Sequence, residues 1–348
     1  MRVRVWGLAL VLAAAGCTAP PSAAGAPISC VAGKASGLGS SAQANAVSAW
    51  IRNYQVNCAE ASVEYASIGS GAGLAAFVGG TGDFAGSDSP LSGADQVKAD
   101  ARCAGRPAIH LPMVVGPIAL AYNVAGVNGL RLAPGTVARI FTGRITVWND
   151  PEIRRDNPGV SLPATPIRTV HRADNSGTTD NFTKFLAATA SGDWSLGSGS
   201  GWKAPGGIAE KGSNRVVATI ERSDGAIGYV EASYARFHNL PTALIGNAAG
   251  EFTALTDEAA GRTVAGAKIT GTGGDLRLTV DYRTGVSGAY PLVLVTYEVV
   301  CKAGAPALVK SFLAYASSPA GQAAATRLGY APLPEALRSQ VATAVAAL

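Results

Sequence analysis

The sequence predicts an α/β fold of two lobes, and three observations carry that expectation. From Ala32 to about Val114, short apolar runs alternate with helical stretches in the order βαβαβ, which makes a parallel sheet. Two long apolar runs, 112–124 (without charge) and 290–300, bracket a central region. A chain that leaves one sheet along the first run and returns along the second crosses twice into a second lobe. Two crossings make a hinge. The third observation is a set of Ser/Thr-Gly segments placed where strands hand over to helices, where ligands collect in such sheets.

The elements follow in order. Residues 34–38 read as a strand leading into a helix over about 42–55, whose Ala46, Val47, Trp50, Ile51 and Tyr54 share one face. A strand over 62–68, a short helix over 72–78 and a strand over 83–86 complete the first unit. In the middle region, 136–141 reads as helix, 145–149 as a turn and 166–170 as a strand. Asn175 opens a helix with Phe182, Phe185 and Leu186 on one side, and 225–230 is a further buried strand. Residues 245–290 are less regular, and 305–348 are mainly helical. The expected division is 30–115 plus 296–348 for the first lobe and 116–295 for an inserted second lobe.

Composition narrows the class. At 348 residues, with 15% charged and 48% hydrophobic residues, the chain can bury two cores and is globular. Its formal charge of +5 falls by two once Arg2 and Arg4 leave with a leader, and no basic stripe interleaved with aromatics appears. Nucleic acid is not an expected partner. Arg2 and Arg4 precede an apolar run over 5–15, and Ala14-Ala15-Gly16-Cys17 has the form of a lipoprotein cleavage box. Residues 1–16 are then a signal peptide, Cys17 carries lipid, and 17–29 form a tether to the outer face of the cytoplasmic membrane. An ordinary secretory signal would instead be cut near Ala24-Gly25-Ala26. The apolar run is shorter than the ~20 residues a membrane span needs.

Four cysteines remain after Cys17: Cys30, Cys58, Cys103 and Cys301. An even number in an exported chain favours disulfides. Of the three pairings, Cys30–Cys58 is favoured because both precede neighbouring strands, which leaves Cys103–Cys301. Three scattered histidines and no Cys-x-x-Cys argue against a metal, and no cofactor motif appears.

The chemistry lies in Gly39-Ser40-Ser41-Ala42, Ile68-Gly69-Ser70-Gly71-Ala72-Gly73 and Arg172-Ala173-Asp174-Asn175-Ser176-Gly177-Thr178-Thr179. Helix N-termini expose unpaired N–H groups and a partial positive charge, so three together suit a compact oxyanion. The hydroxyls of Ser41, Ser70, Ser176 and Thr178, the N–H groups of Ala42, Ser176, Gly177 and Thr178, and the Arg172 fork are the candidate donors. Asp174 is placed to brace Arg172 or to cap the following helix. Asp88, in Asp83-Phe84-Ala85-Gly86-Ser87-Asp88, is the discriminating residue. A carboxylate repels an anion unless that anion brings a proton; phosphate does near neutral pH and sulfate does not.

On these segments, together with Gly143-Arg144-Ile145-Thr146-Val147-Trp148-Asn149-Asp150 and Gly225-Ala226-Ile227-Gly228-Tyr229-Val230, the chain resembles a known family over about residues 34–348. These are the periplasmic-type phosphate-binding proteins of bacterial ABC phosphate-uptake systems, and the lipoprotein versions from actinobacteria are most similar. The resemblance implies a type II periplasmic binding protein fold, each lobe a mixed, mostly parallel sheet flanked by helices and joined by a two-strand hinge. It implies a monomer that closes on inorganic phosphate, catalyses nothing and passes the ion to the permease and ATPase subunits of an importer. Carried across, Ser41 with the Ala42 N–H is the first contact, Ser70 the second, Asp88 the acceptor, and Arg172, Ser176, Gly177 and Thr178 the second lobe's grip. Ser41-Ala42 stands where relatives often have Thr-Phe, and His171 where some carry arginine. Rival readings are a receptor for another oxyanion and a secreted serine esterase or phosphatase; the latter lacks both a Gly-x-Ser-x-Gly elbow and a placed histidine.

Overall fold

The computed structural model describes residues 28–348; the leader, Cys17 and most of the tether lie outside the described residues. The chain opens with β1 (Gly33–Gly39), α1 (Ala44–Asn57), β2 (Ala61–Ser67), α2 (Ser70–Val78), β3 (Phe84–Ser87) and α3 (Gly93–Arg102). β1 pairs in parallel with β2 on one side and β3 on the other, the parallel unit that the alternation predicts. α1 forms because Ala46, Val47, Trp50 and Tyr54 recur at helical spacing and bury one face. Trp50 donates its ring N–H to Gly321 O at 2.7 Å, so its one polar atom is satisfied inside the core.

The long β4 (Ala108–Asn123) leaves this unit, buried along almost its whole length. Beyond it come β5 (Arg131–Leu132), α4 (Pro134–Phe141), α5 (Pro151–Asp156), β6 (Arg168–Arg172), α6 (Gly177–Thr189), β7 (Ile208–Glu210), α7 (Gly212–Arg222), β8 (Ala226–Glu231) and α8 (Ala232–Phe237). The less regular stretch holds β9 (Leu244–Gly246), β10 (Phe252–Thr253), α9 (Asp257–Ala265), β11 (Lys268–Ile269) and β12 (Leu278–Thr279). The chain returns along β13 (Val293–Cys301) and closes with α10 (Ala307–Ser317), α11 (Pro319–Thr326) and α12 (Glu335–Ala346).

One eight-stranded mixed sheet runs β2-β1-β3-β13-β4-β8-β6-β7. β4 serves both halves. Up to Pro117 it pairs antiparallel with β13, and from Ile118 onward with β8. On the far side β6 is parallel to both β8 and β7. The two lobes therefore meet along β4 and the approach to β13, the pair of long apolar strands legible in the sequence.

This topology aims the carboxyl ends of the parallel strands at one seam. Ser40 follows β1, Ser70 follows β2, Asp88 follows β3, Asp174 follows β6, Ser213 follows β7 and Ser233 follows β8. Cys30 pairs with Cys58 and Cys103 with Cys301, the favoured pairing. Among the described residues no cluster of three His, Cys, Asp or Glu has metal-binding geometry, and no helix is long and apolar enough to cross a membrane.

Candidate anion-binding site

Asp88 is the centre of the seam. Its carboxylate is buried, and Oδ1 accepts from the Ser40 hydroxyl at 2.6 Å and the Thr296 hydroxyl at 2.7 Å. Oδ2 accepts a longer bond, 3.2 Å, from Ser70, whose oxygen in turn receives the Asp88 N–H at 3.3 Å. Burial pushes the Asp88 carboxyl above its ordinary range; the hydroxyls of Ser40 and Thr296, the Arg172 charge and Ser70 oppose that rise.

Ser70 is the first residue of α2, and Gly69 before it adopts φ +93. A Cβ at Gly69 would lie 2.5 Å from Asp174 Oδ2, so both the backbone and the close approach require glycine here. Ser176 caps α6 by accepting from the Thr179 N–H at 3.3 Å. The capping role open to Asp174 thus falls to Ser176. Asp174 braces Arg172, taking Nε at 2.8 Å and Nη2 at 2.5 Å, and also accepts from the Gly212 N–H at 3.2 Å. Burial raises the Asp174 carboxyl, but bonds and charge from Arg172 outweigh it and hold it below the usual range. The two-pronged grip leaves Nη1 of Arg172 for another acceptor.

Thr178 is buried one residue into α6, and its Oγ1 has no hydrogen-bond partner among the described residues. An orphaned buried hydroxyl beside a helix N-terminus is a donor waiting for an acceptor.

The first segment behaves differently from expectation. Ser41 and Ala42 lie in a turn before α1, which starts at Ala44. The Ala42 N–H donates to Ser40 Oγ at 3.0 Å, and the Ser41 hydroxyl meets that of Ser213 at 2.9 Å across the seam. This buried turn is held by three tyrosines, which donate to three successive carbonyls. Tyr65 bonds Ser40 O at 2.9 Å, Tyr234 bonds Ser41 O at 2.6 Å and Tyr330 bonds Ala42 O at 2.7 Å. Burial raises all three phenols, so they remain donors.

The structure therefore gathers Ser70, Asp88, Arg172, Asp174, Ser176, Gly177 and Thr178 at one seam, with Ser41 and Ala42 beside them. Sequence reasoning missed Ser40, Thr296, Ser213 and Asn181, whose amide donates to Asp88 O at 2.8 Å. Thr296 and Glu298 had a readable signal, being polar residues inside an otherwise apolar strand.

With that geometry established, comparison with known proteins is decisive. A family model described as the PBP superfamily domain matches residues 24–320. Phosphate-binding protein PstS 3 from Mycobacterium leprae is 42% identical over 317 residues, covering 89% of this chain and 85% of its own length. The chain belongs to the PstS family of phosphate-binding proteins, within the PBP superfamily. PstS 2 from Mycobacterium tuberculosis is likewise 42% identical over 318 residues, with 89% and 86% covered. Among solved structures, a high-affinity periplasmic phosphate-binding protein (PfluDING) bound with phosphate at pH 8.5 superposes with TM-score 0.72 at 23% identity, covering 89% of this chain and 93% of that one. A phosphate-binding protein from Stenotrophomonas maltophilia gives 0.69 at 22% identity, with 90% and 94% covered. At such identities these two similarities speak for the two-lobed fold of this PstS family member.

Proposed function

We propose that this chain binds inorganic phosphate in the seam between its lobes and delivers it to an ABC importer, with no reaction of its own. The observation that carries the reading is the buried Asp88 carboxylate facing a set of donors: Ser70, the N-terminus of α6, the unpartnered Thr178 hydroxyl and the braced Arg172. The donors neutralise an oxyanion, while Asp88 asks that oxyanion for a hydrogen. Protonated phosphate meets both demands. Sulfate has no proton and meets Asp88 as an unrelieved repulsion.

On this reading Ser41 with the Ala42 N–H, Ser70, Asp88, Arg172, Ser176, Gly177 and Thr178 bind the ion, and Asp174 positions Arg172. Binding at Ser41 and Ala42 requires the ion to replace the contacts these groups make with Ser213 and Ser40. The lobes divide as 30–115 with 296–348 against 116–295; the change of partner in β4 after Pro117 supports a hinge at that place. The partners are permease and ATPase subunits, the receptor acts as a monomer, and lipid on Cys17 holds it on the outer face of the cytoplasmic membrane.

Esterase chemistry is disfavoured by where the fully buried histidine goes. His110 is held by Asp275 at 2.9 Å and by the Leu91 N–H at 2.9 Å, leaving no ring nitrogen for a serine. Calorimetric titration of the soluble chain with phosphate, sulfate and arsenate tests the proposal: phosphate saturates one site and sulfate gives no heat. Equal binding of sulfate and phosphate would refute it.

A further inference from the structure

The two oxygens of Asp88 are not equivalent. Oδ1 takes two short hydroxyl bonds, from Ser40 and from Thr296, which fill its two lone-pair directions. Oδ2 takes only the longer bond from Ser70 and faces the α6 N-terminus, where a Cβ on Gly177 would lie 2.7 Å from it. The direction of the Ser40 bond is fixed by its neighbour. Its oxygen already accepts the Ala42 N–H at 3.0 Å, a group that can only donate, so the hydroxyl hydrogen is free to point at Asp88. Thr296 stands where the β13–β4 ladder slips a register: Thr296 faces Val114, the next residue Tyr297 faces Pro112, and Met113 is skipped. Such bulges re-aim a strand's side chains and recur beside binding sites.

Resting on the phosphate reading above, we propose that Ser40 and Thr296 are specificity-determining positioning residues, which reserve Oδ2 for the ligand's proton and keep Asp88 a carboxylate. The second task is demanding because burial pushes toward the neutral acid. Asp88 faces Arg172 from β6, which favours the anion. Its charge also reaches Glu298 from β13, Glu231 from the end of β8, and the phenols Tyr65 from β2 and Tyr234 from α8, each of which it helps to keep protonated. If Asp88 took up a proton it would donate a hydrogen bond, and sulfate would then fit as well as phosphate. Each hydroxyl removed moves the site in that direction.

The experiment measures phosphate and sulfate affinities of the whole soluble chain between about pH 5 and about pH 8 for wild type, Ser40→Ala, Thr296→Val, Thr296→Ser and Asp88→Asn. A hydrogen bond to a charged group corresponds to a shift of about one to two pH units. Thr296→Val and Ser40→Ala are therefore expected to bind sulfate with a midpoint at least about one pH unit above that of wild type. Near pH 6 their phosphate-over-sulfate ratio falls about ten-fold or more. Thr296→Ser keeps the donor and restores the wild-type profile. Should Thr296→Val fail to fold, Ser40→Ala reads the same shift with a single oxygen removed. Wild-type ratios in Ser40→Ala and in any folded Thr296→Val, with the ratio lost in Asp88→Asn, overturn the proposal and leave the phosphate reading standing. Equal damage from Thr296→Val and Thr296→Ser assigns Thr296 to packing and also overturns it. Retention of the ratio by Asp88→Asn overturns the phosphate reading itself.

Discussion

Gly177 and Asp88 face each other across the seam so closely that a methyl group on the glycine would lie 2.5 Å from Asp88 Cβ. The same methyl would lie 2.7 Å from Ser70 Oγ, so the segments that carry Ser70, Asp88 and Gly177 converge on the space a hydrogen now occupies. Gly177 is in ordinary helical backbone, and its requirement is for room alone. Gly177→Ala is therefore expected to fold normally but to hold the lobes apart. Phosphate affinity falls about 100-fold or more, comparable to the loss of several charged hydrogen bonds. Titration measures the affinity, and small-angle scattering with and without phosphate shows whether closure is lost.

Arg172 supplies the formal positive charge, and its fork is shared with Asp174. Arg172→Ala removes that charge and leaves Asp174 half-buried beside an anion. The expected loss in phosphate affinity is about 100-fold or more, since breaking a buried pair strands its partner. Arg172→Lys recovers only part of it, because a point charge cannot hold Asp174 with two prongs and reach a ligand with the third. Full recovery by lysine in calorimetry would show that charge alone matters.

Two buried acids near Asp88 give the stability of the fold a particular pH dependence. Burial pushes Glu231 and Glu298 up to about 8, with lesser effects from Ser233 and Tyr330 on the first, Gln43 on the second and the Asp88 charge on both. Each folded value is raised above the unfolded one, so the folded state holds the proton more tightly. Stability is fully present below about pH 4.5, falls as pH rises through about 8, and is level above that. Thermal melts recorded from about pH 5 to about pH 9 should show Tm falling across this window. Glu231→Gln and Glu298→Gln should each flatten the slope; an unchanged slope in both would contradict the assignment.

The disulfides close loops of different size, with sequence separations of 28 for Cys30–Cys58 and 198 for Cys103–Cys301. Chain entropy makes the longer closure more stabilising by about 2 kcal/mol. Paired Cys→Ser variants melted in parallel should rank in that order. The Cys103–Cys301 link also joins the C-terminal cap of α3 to the end of β13, the strand that carries Thr296.

Cys17→Ser is expected to move the protein from the membrane fraction to the medium, read by fractionation and blotting. Retention on the membrane would remove the lipid anchor from the account.

Much of the frame was legible because it rests on period and composition. The parallel first unit follows from alternating runs, and β4 and β13 stand out as long, predominantly apolar stretches suited to a sheet interior. Helix starts were less legible. The first was expected at about 42, but α1 begins at Ala44, because three tyrosines from distant elements satisfy the carbonyls of Ser40 to Ala42 and let that turn stay open. Ser40 and Thr296 escaped notice for a related reason: a sequence shows a hydroxyl, but not which carboxylate oxygen it reaches. Asp174 was legible as a brace or a cap, and only the geometry of Ser176 decides between them.

The central claim is that this seam holds one phosphate ion with Asp88 as its proton acceptor, and a crystal structure of the chain grown with inorganic phosphate tests it most directly. The account predicts a single ion between the lobes, within hydrogen-bond distance of Asp88 Oδ2, Ser70 Oγ, Thr178 Oγ1 and the Arg172 guanidinium. An empty seam, or an ion bound elsewhere with Asp88 untouched, would contradict it.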